Sequence, residues 1–134
     1  MNDPMVVIRF DGNGRAYLPG DILAGEYRLE SLPFGHIRAV EVSVLWYTEG
    51  KGDEDMAVHE FQRLSVDDGD WIDPSRPGRF SVVLPNSPLT YDGALLKIRW
   101  CVRVRVFPRK GKQVVGQREF VLGTVGTTAA QVAP

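Results

Sequence analysis

Hydrophobic and polar residues alternate one by one between Leu95 and Phe107 (LLKIRWCVRVRVF). The apolar side of this stretch carries Leu96, Ile98, Trp100, Val102, Val104 and Val106. The other side carries Lys97, Arg99, Cys101, Arg103 and Arg105. Successive side chains of a strand point to opposite faces, whereas helical spacing would spread the arginines around a whole cylinder. The stretch is therefore predicted to be a β-strand with one buried face and one mostly charged face.

Shorter apolar or alternating runs predict strands at residues 5–10, 15–18, 22–30, 37–47, 56–65, 79–84 and 113–122. Residues 15–18 are expected to complete a hairpin with the first strand. Gly25 indicates a bulge or a close backbone approach within the third strand. Residues 56–65 also contain helix formers, but they are assigned as a strand because their neighbours are strands.

About eight strands with frequent Gly, Pro, Asn and Asp turns predict an all-β, immunoglobulin-like antiparallel β-sandwich. Residues 1–122 are expected to form this single domain. The small, polar, aperiodic segment 123–134 is expected to be a flexible tail.

Charge and cysteine content narrow the function classes. The 134 residues carry a formal net charge of −1, so binding to nucleic acid is not expected, and any contact with an anionic membrane surface would need a local basic patch. Cys101 is the one cysteine, which excludes an intrachain disulfide and fits a reducing compartment. No signal-peptide pattern and no apolar run of membrane-spanning length occurs. We therefore expect a cytoplasmic protein without a transmembrane segment.

Two segments of the chain together resemble the arrestin family. The first runs from Tyr17 through Pro19-Gly20-Asp21 to Leu29 and resembles the family's Y-x-P-G-E-x-I-x-G-x-V-x-V pattern. The second comprises Phe80–Pro85, Pro88–Gly93 and Ile98–Val104, and is similar to F-x-F-x-L-P…P-x-S-F/Y-x-G…I-x-Y-x-V-x-A. The motif residues suit turns and strand ends, with φ > 0 expected at Gly93. We interpret the motif as a fold signature rather than an active site.

The resemblance implies an arrestin-type sandwich that corresponds to the N-terminal domain of the family. It also implies a non-enzymatic scaffold or adaptor, since members outside animals resemble trafficking, sporulation-control or stress-related scaffolds. Arrestins have two sandwiches and this chain has room for one. No paired lysines lie near the first strand, so a receptor-binding role is not carried over.

Seven cations are the candidate binding site: Lys97, Arg99, Arg103, Arg105, Arg109, Lys110 and Lys112. Alternate residues of a strand lie about 6.5–7 Å apart on one face, so the first four would form a charged ladder. Such a face would dock an acidic or phosphorylated peptide, or an anionic lipid in a peripheral membrane contact. Alternatively, Glu41, Glu60 or Glu119 on neighbouring strands would neutralise it.

The sequence gives little support for metal or covalent chemistry. The acidic groups 53–55 and Asp67, Asp68, Asp70 and Asp73 lack the spacing of a calcium loop and are interpreted as solvated loops. Cys101 with His59 could be drawn as a nucleophile pair, but a mid-strand cysteine is more often a small structural filler. We expect no enzyme activity, no metal and no cofactor.

Two further hypotheses remain open. A carbohydrate-binding module would use exposed Trp46, Trp71 or Trp100, although Trp46 and Trp100 alternate in phase with buried valines. A homodimer could form through an edge strand, with residues 5–10 and 16–18 as the candidate edges.

Overall fold

The computed structural model describes residues 3–52 and 54–123, so the predicted tail 123–134 lies outside the described residues except for Gly123. Within these ranges the strands are β1 (Met5–Phe10), β2 (Ala16–Tyr17), β3 (Ile22–Glu30), β4 (Ile37–Gly50), β5 (Met56–Ser65), β6 (Gly78–Val83), β7 (Tyr91–Asp92), β8 (Leu96–Pro108) and β9 (Val114–Leu122). Two short 3₁₀ turns, η1 (Asp11–Asn13) and η2 (Val66–Asp68), connect them. The described part of the chain has no helix long and apolar enough to cross a membrane.

Two sheets form a sandwich, as the sequence predicts. The small sheet has the order β1-β3-β6, and the large sheet has the order β2-β9-β8-β4-β5, with β7 pairing one end of β8. Their inner faces build a hydrophobic core to which both sheets contribute. Strand β8 supplies its centre: Trp100 is 1% exposed, and the valines at alternate positions after it are fully buried.

The outer face of β8 departs from simple alternation at Cys101. This side chain is fully buried although its neighbours along that face are charged. Leu45 lies directly opposite on β4 and is itself buried. The outer face of the large sheet therefore has a small apolar centre of its own.

The expected hairpin between β1 and residues 15–18 is wrong. β2 pairs in parallel with β9, with Ala16 opposite Val121 and Tyr17 opposite Leu122. The turn η1 carries the chain from the small sheet to the large one, and Gly12 and Asn13 supply the left-handed backbone (φ of 67° and 56°) that this crossing uses.

Gly25 marks a close approach and not a bulge. The pairing of β3 with β1 and with β6 runs through this residue without a register shift. A Cβ at Gly25 would collide with the carbonyl oxygen of Arg9 and would lie 2.8 Å from the ring of Phe80.

The two halves of the arrestin-like motif meet in space. The Gly20 amide donates to the carbonyl of Leu84 at 3.0 Å, and the Leu84 amide donates to the carbonyl of Asp21 at 2.9 Å. The Asp21 carboxylate also accepts the amide of Leu18 at 2.8 Å. The expected positive φ at Gly93 is wrong, since this residue is absent from the left-handed region. A glycine is needed there because a Cβ would press on the ring of Tyr91.

Side chains cap the free edges of the small sheet. Arg118 of β9 donates to the carbonyl of Ile8 in β1 at 3.0 Å, with its guanidinium 5.1 Å from the ring centroid of Phe10. On the opposite side, His59 Nε2 lies 2.8 Å from the carbonyl oxygen of Val83 in β6. Both contacts tie the small sheet to the large one.

Carboxylates cap the outer edge of β5 in a similar way. Asp55 Oδ1 accepts the amide of Met56 at 2.8 Å, and Asp70 Oδ2 accepts the amide of Ser65 at 2.9 Å. Between them, Glu60 Oε1 accepts the amide of Phe61 at 3.3 Å. Edge amides bonded in this way are less available to a foreign strand. These contacts concern β5 and do not test the homodimer expected through residues 5–10 and 16–18, which stays a prediction.

Candidate functional site

The outer face of the large sheet is the side that points away from the small sheet. Cross-strand pairing places Arg105 between Glu41 of β4 and Val115 of β9. One row further on, Arg103 lies between Ser43 and Gln117. The cations of β8 thus line one face, as the sequence predicts. The cross-strand register determines which residues of β4 and β9 lie next to each cation.

The first two cations of the ladder are neutralised. Lys97 Nζ lies 3.5 Å from Asp92 Oδ1, and Arg99 Nε lies 2.7 Å from Glu49 Oε1. The hydrogen bond to Glu49 raises the pKa of the Arg99 guanidinium above its ordinary value. This end of the face resembles a solvated ion-pair surface.

Arg103 and Arg105, called here the arginine pair, are bonded to no carboxylate among the described residues. Arg103 Nε donates to the neutral amide oxygen of Gln117 at 2.9 Å. Among the described residues Arg105 forms no ion pair, because its neighbour Glu41 is bonded to Arg63 of β5. The arginine pair is thus the part of the ladder with charge available to a partner.

The carboxylates expected to neutralise the ladder have other partners. Glu119 accepts the hydroxyl of Tyr47 at 3.2 Å. Burial, followed by the charge of Glu119 and this hydrogen bond, raises the pKa of Tyr47. Glu60 caps an amide of its own strand. Within the described ranges neither Glu119 nor Glu60 forms a salt bridge with the four cations of β8.

Exposed apolar side chains lie beside the arginine pair. Strand β5 presents Met56, Val58 and Phe61, each about half exposed, and β9 presents Val115. Phe61 pairs with Ser43, the residue that also faces Arg103. The face therefore combines apolar surface with unneutralised arginines, a combination that sequence reasoning did not predict.

The remaining three cations lie at a different place. Arg109, Lys110 and Lys112 belong to the turn between β8 and β9 and line a groove of about 600 Å³ at one end of the sandwich. Arg109 is fixed there, since its backbone amide donates to the carbonyl of His36 at 2.8 Å and its Nε donates to the carbonyl of Gly35 at 2.9 Å. The seven candidate residues thus form two sites and not one continuous face.

The acidic loops are engaged in structural contacts. Asp67 lies 3.2 Å from Arg38, Asp70 caps Ser65, and Asp73 accepts the amide and hydroxyl of Ser75. Hydrogen bonds from Ser75 lower the pKa of Asp73. Residue 53 lies outside the described residues. Across the ranges 3–52 and 54–123, no group of three or more His, Cys, Asp or Glu side chains could hold a metal ion.

Cys101 and His59 are not brought together. Cys101 belongs to the outer face, while His59 contacts the ring of Trp100 on the core side, with ring centroids 6.1 Å apart. Burial raises the pKa of the Cys101 thiol to about 11. A neutral, buried thiol without a base is not a nucleophile at neutral pH.

The three tryptophans differ in burial: Trp46 and Trp100 contact the core, as their alternation with the valines predicts, and Trp71 is exposed. Trp100 is buried and donates its indole N–H to the carbonyl of Pro88 at 2.7 Å. Trp46 packs against the core and is partly buried. Trp71 is 75% exposed, and its ring centroid lies 5.2 Å from that of Phe34, which is 58% exposed.

These features define an all-β sandwich domain, and solved structures of known proteins support that class. The structure is similar to Spo0M, a sporulation control protein from Bacillus subtilis, with a TM-score of 0.66, 15% sequence identity and coverage of 92% of this chain. The match covers 51% of the Spo0M chain, so this chain spans about half of its length. A superoxide reductase (neelaredoxin) from Ignicoccus hospitalis matches with a TM-score of 0.53 and 10% identity, over 89% of this chain and 80% of that one. No family model and no curated protein matches the sequence. At these identities the likeness concerns the fold alone.

Proposed function

We propose that this chain is a non-enzymatic, arrestin-type protein-interaction module of the cytoplasm that docks an acidic partner on the outer face of its large sheet. The observation that carries the proposal is the arginine pair next to the exposed side chains of β5. Among the described residues, Arg103 and Arg105 have no carboxylate partner, while Lys97 and Arg99 are paired with carboxylates.

The composition of this face supports protein binding. Aromatic residues, Met and Arg are enriched in protein interfaces, and half-exposed Phe61 and Met56 lie on the same outer face as the partly exposed arginine pair. A guanidinium can bond a carboxylate or a phosphate with two parallel hydrogen bonds, which adds geometric specificity to the charge. An extended acidic or phosphorylated peptide with one apolar side chain fits this chemistry.

The sequence motifs support the arrestin part of the proposal. Their residues join two distant segments through the bonds between Gly20, Asp21 and Leu84. Since they stabilise the fold and carry no reactive group, they are consistent with a scaffold. The lone buried thiol of Cys101 is consistent with a reducing compartment.

An array of acidic, phosphorylated and neutral scrambled peptides tests the proposal. We expect the chain to bind a subset of acidic or phosphorylated peptides, with affinity falling as salt rises. Charge reversal of both arginines (Arg103→Glu with Arg105→Glu) should lower that affinity at least tenfold. The matched control is Lys97→Glu with Arg99→Glu on the same strand face, which should change it less than twofold.

Two outcomes would contradict the proposal in different ways. Equal loss in both double variants would mean that only the net charge matters, and it would overturn the assignment of the site. Binding to scrambled neutral peptides as strong as to acidic ones would overturn the partner class. Unchanged melting temperatures in both variants show that the fold is intact.

A carbohydrate-binding module is a second candidate, which one observation favours. Trp71 is exposed in a turn-rich loop, as many sugar-stacking side chains are, whereas Trp46 and Trp100 belong to the core. Titration of a broad glycan panel while the fluorescence of Trp71 is followed tests it. A fluorescence shift that Trp71→Phe abolishes would support it, and an unchanged signal across the panel would exclude it.

A further inference from the structure

The loop end of the sandwich is the surface formed by residues 31–36, 69–77 and 109–113. These segments connect β3 to β4, η2 to β6 and β8 to β9. The loop end is distinct from the arginine pair, so a site at the loop end is independent of the proposed docking of an acidic partner. It shares Trp71 with the carbohydrate-binding candidate.

An aromatic pair is exposed at the loop end. Phe34 and Trp71 come from different loops, and their rings lie 5.2 Å apart at an angle of 53°. Both side chains expose more than half of their surface to water, although large aromatic side chains are usually among the best-buried residues. Two tilted rings do not form the single flat platform that stacking on one sugar ring would use.

Basic residues lie on the turn that contacts the Phe34 loop, although neither Phe34 nor Trp71 lines the groove that they form. Phe34 immediately precedes Gly35, whose carbonyl accepts the guanidinium of Arg109. The turn that carries Arg109, Lys110 and Lys112 is therefore held against the loop that carries Phe34. The groove between them has an apolar lining that includes Leu32, Pro33 and Val114.

The charge balance at the loop end is positive. The three segments contain Arg76, Arg109, Lys110 and Lys112 against Asp70 and Asp73. Both aspartates are engaged by neighbours, Asp70 with the amide of Ser65 and Asp73 with Ser75 and Arg76. Among the described residues, Lys110 and Lys112 form no ion pair. This local excess of positive charge stands against a whole chain of net charge −1.

We propose that the loop end docks on an anionic lipid bilayer, with Phe34 and Trp71 in the headgroup region and Arg109, Lys110 and Lys112 on the lipid phosphates and carboxylates. Tryptophan and phenylalanine favour the membrane–water interface, and basic residues are attracted to anionic lipid. Binding to a membrane surface strengthens with the apolar area that is buried and with electrostatic attraction to anionic lipid, and the loop end offers both. A soluble anion would account for the cations but would leave the exposed aromatic pair without a role.

Co-sedimentation of the full chain with vesicles tests this inference. Vesicles of phosphatidylcholine with phosphatidylserine should bind the chain, and vesicles of phosphatidylcholine alone should bind it at least tenfold more weakly. Lys110→Glu with Lys112→Glu should abolish the binding. Phe34→Ser with Trp71→Ser should weaken it at least tenfold. The controls, Lys97→Glu and Tyr91→Ser, change a partly exposed cation and an exposed aromatic residue far along the sandwich and should have no effect.

Tryptophan fluorescence of the unaltered chain gives a second test that does not depend on whether these variants fold. Trp71 should shift to shorter wavelength on anionic vesicles and should be quenched by brominated lipid chains, and Trp71→Phe should remove both signals. Absence of binding to phosphatidylserine vesicles would overturn the inference. So would vesicle binding without a Trp71 signal, or binding of inorganic phosphate or a phosphopeptide at the loop end without binding of vesicles.

Discussion

His59 of β5 reaches across the open side of the sandwich to the carbonyl oxygen of Val83 in β6, with 2.8 Å between Nε2 and oxygen. The imidazole also makes an edge contact with the ring of Trp100 at 6.1 Å. Because β5 and β6 belong to different sheets, this contact joins their free margins. Arg118 and Ile8 make the corresponding link on the other side of the molecule.

Replacing His59 by Ala removes this link. We expect the free energy of unfolding to fall by about 1 kcal/mol, the usual net contribution of one hydrogen bond. His59→Gln, which keeps an N–H donor, should recover part of the loss. Urea denaturation measures both variants, and equal stability of His59→Ala and the parent would contradict the role of this contact.

Arg118→Met keeps an apolar stem over Phe10 but removes the donor to Ile8. The variant should lose about 1–2 kcal/mol of stability because the carbonyl loses a charged donor. It should also associate more readily, since the edge of β1 is then uncapped. Size-exclusion chromatography at increasing protein concentration measures the association. Arg118→Lys, which keeps a charged donor, is the control and should stay as monomeric as the parent.

Gly25→Ala should destabilise the fold by about 1–3 kcal/mol, as is usual for overpacking. The new methyl group would press on the carbonyl of Arg9 and on the ring of Phe80. Ser81→Ala, on the neighbouring strand β6, is the control and should stay within about 0.5 kcal/mol of the parent. A neutral Gly25→Ala variant would show that β1 and β3 are further apart than described.

Cys101 should be unreactive towards thiol reagents at pH 8 in the folded protein and should react at once in denaturant. Its pKa of about 11 in the folded protein lies above the ordinary thiol value of 9.0, since burial disfavours the thiolate. The neutral thiol's contribution to stability is therefore fully present below pH 9 and is lost as the pH rises towards 11. The loss is at most about 1.4 kcal/mol per pH unit.

Cys101→Ala provides the comparison for the pH effect. The parent should lose stability more steeply than this variant between pH 9 and 11, because the other titrating groups are common to both. Parallel pH profiles would show that Cys101 is accessible to water.

The alternation of β8 is sufficient to predict the sandwich and the burial of Trp100, because a period of two forces one face inward. The pairing of β2 cannot be predicted in this way. A parallel contact of two residues with β9 depends on where η1 directs the chain, and sequence pattern carries no signal for that.

The sequence is sufficient to list the seven candidate cations, but it does not show which of them are paired with carboxylates or which lie together. Whether Arg99 or Arg103 meets a carboxylate depends on cross-strand register, which fixes Glu49 and Gln117 as their partners. The exposure of Phe61 escapes prediction because alternation cannot show that β5 is an edge strand. One sequence feature could have predicted the exposure of Phe34: it lies between Pro33 and Gly35, two residues typical of a turn.

A residue-resolved NMR titration with the tightest acidic or phosphorylated peptide from the array tests the proposed docking face most directly. The amide and guanidinium signals of Arg103 and Arg105, together with the amide of Phe61, should shift in proportion to peptide bound, while Lys97 and the inner face stay unchanged. Shifts confined to the loop end, or no saturable shift on the outer face of β8, would contradict it.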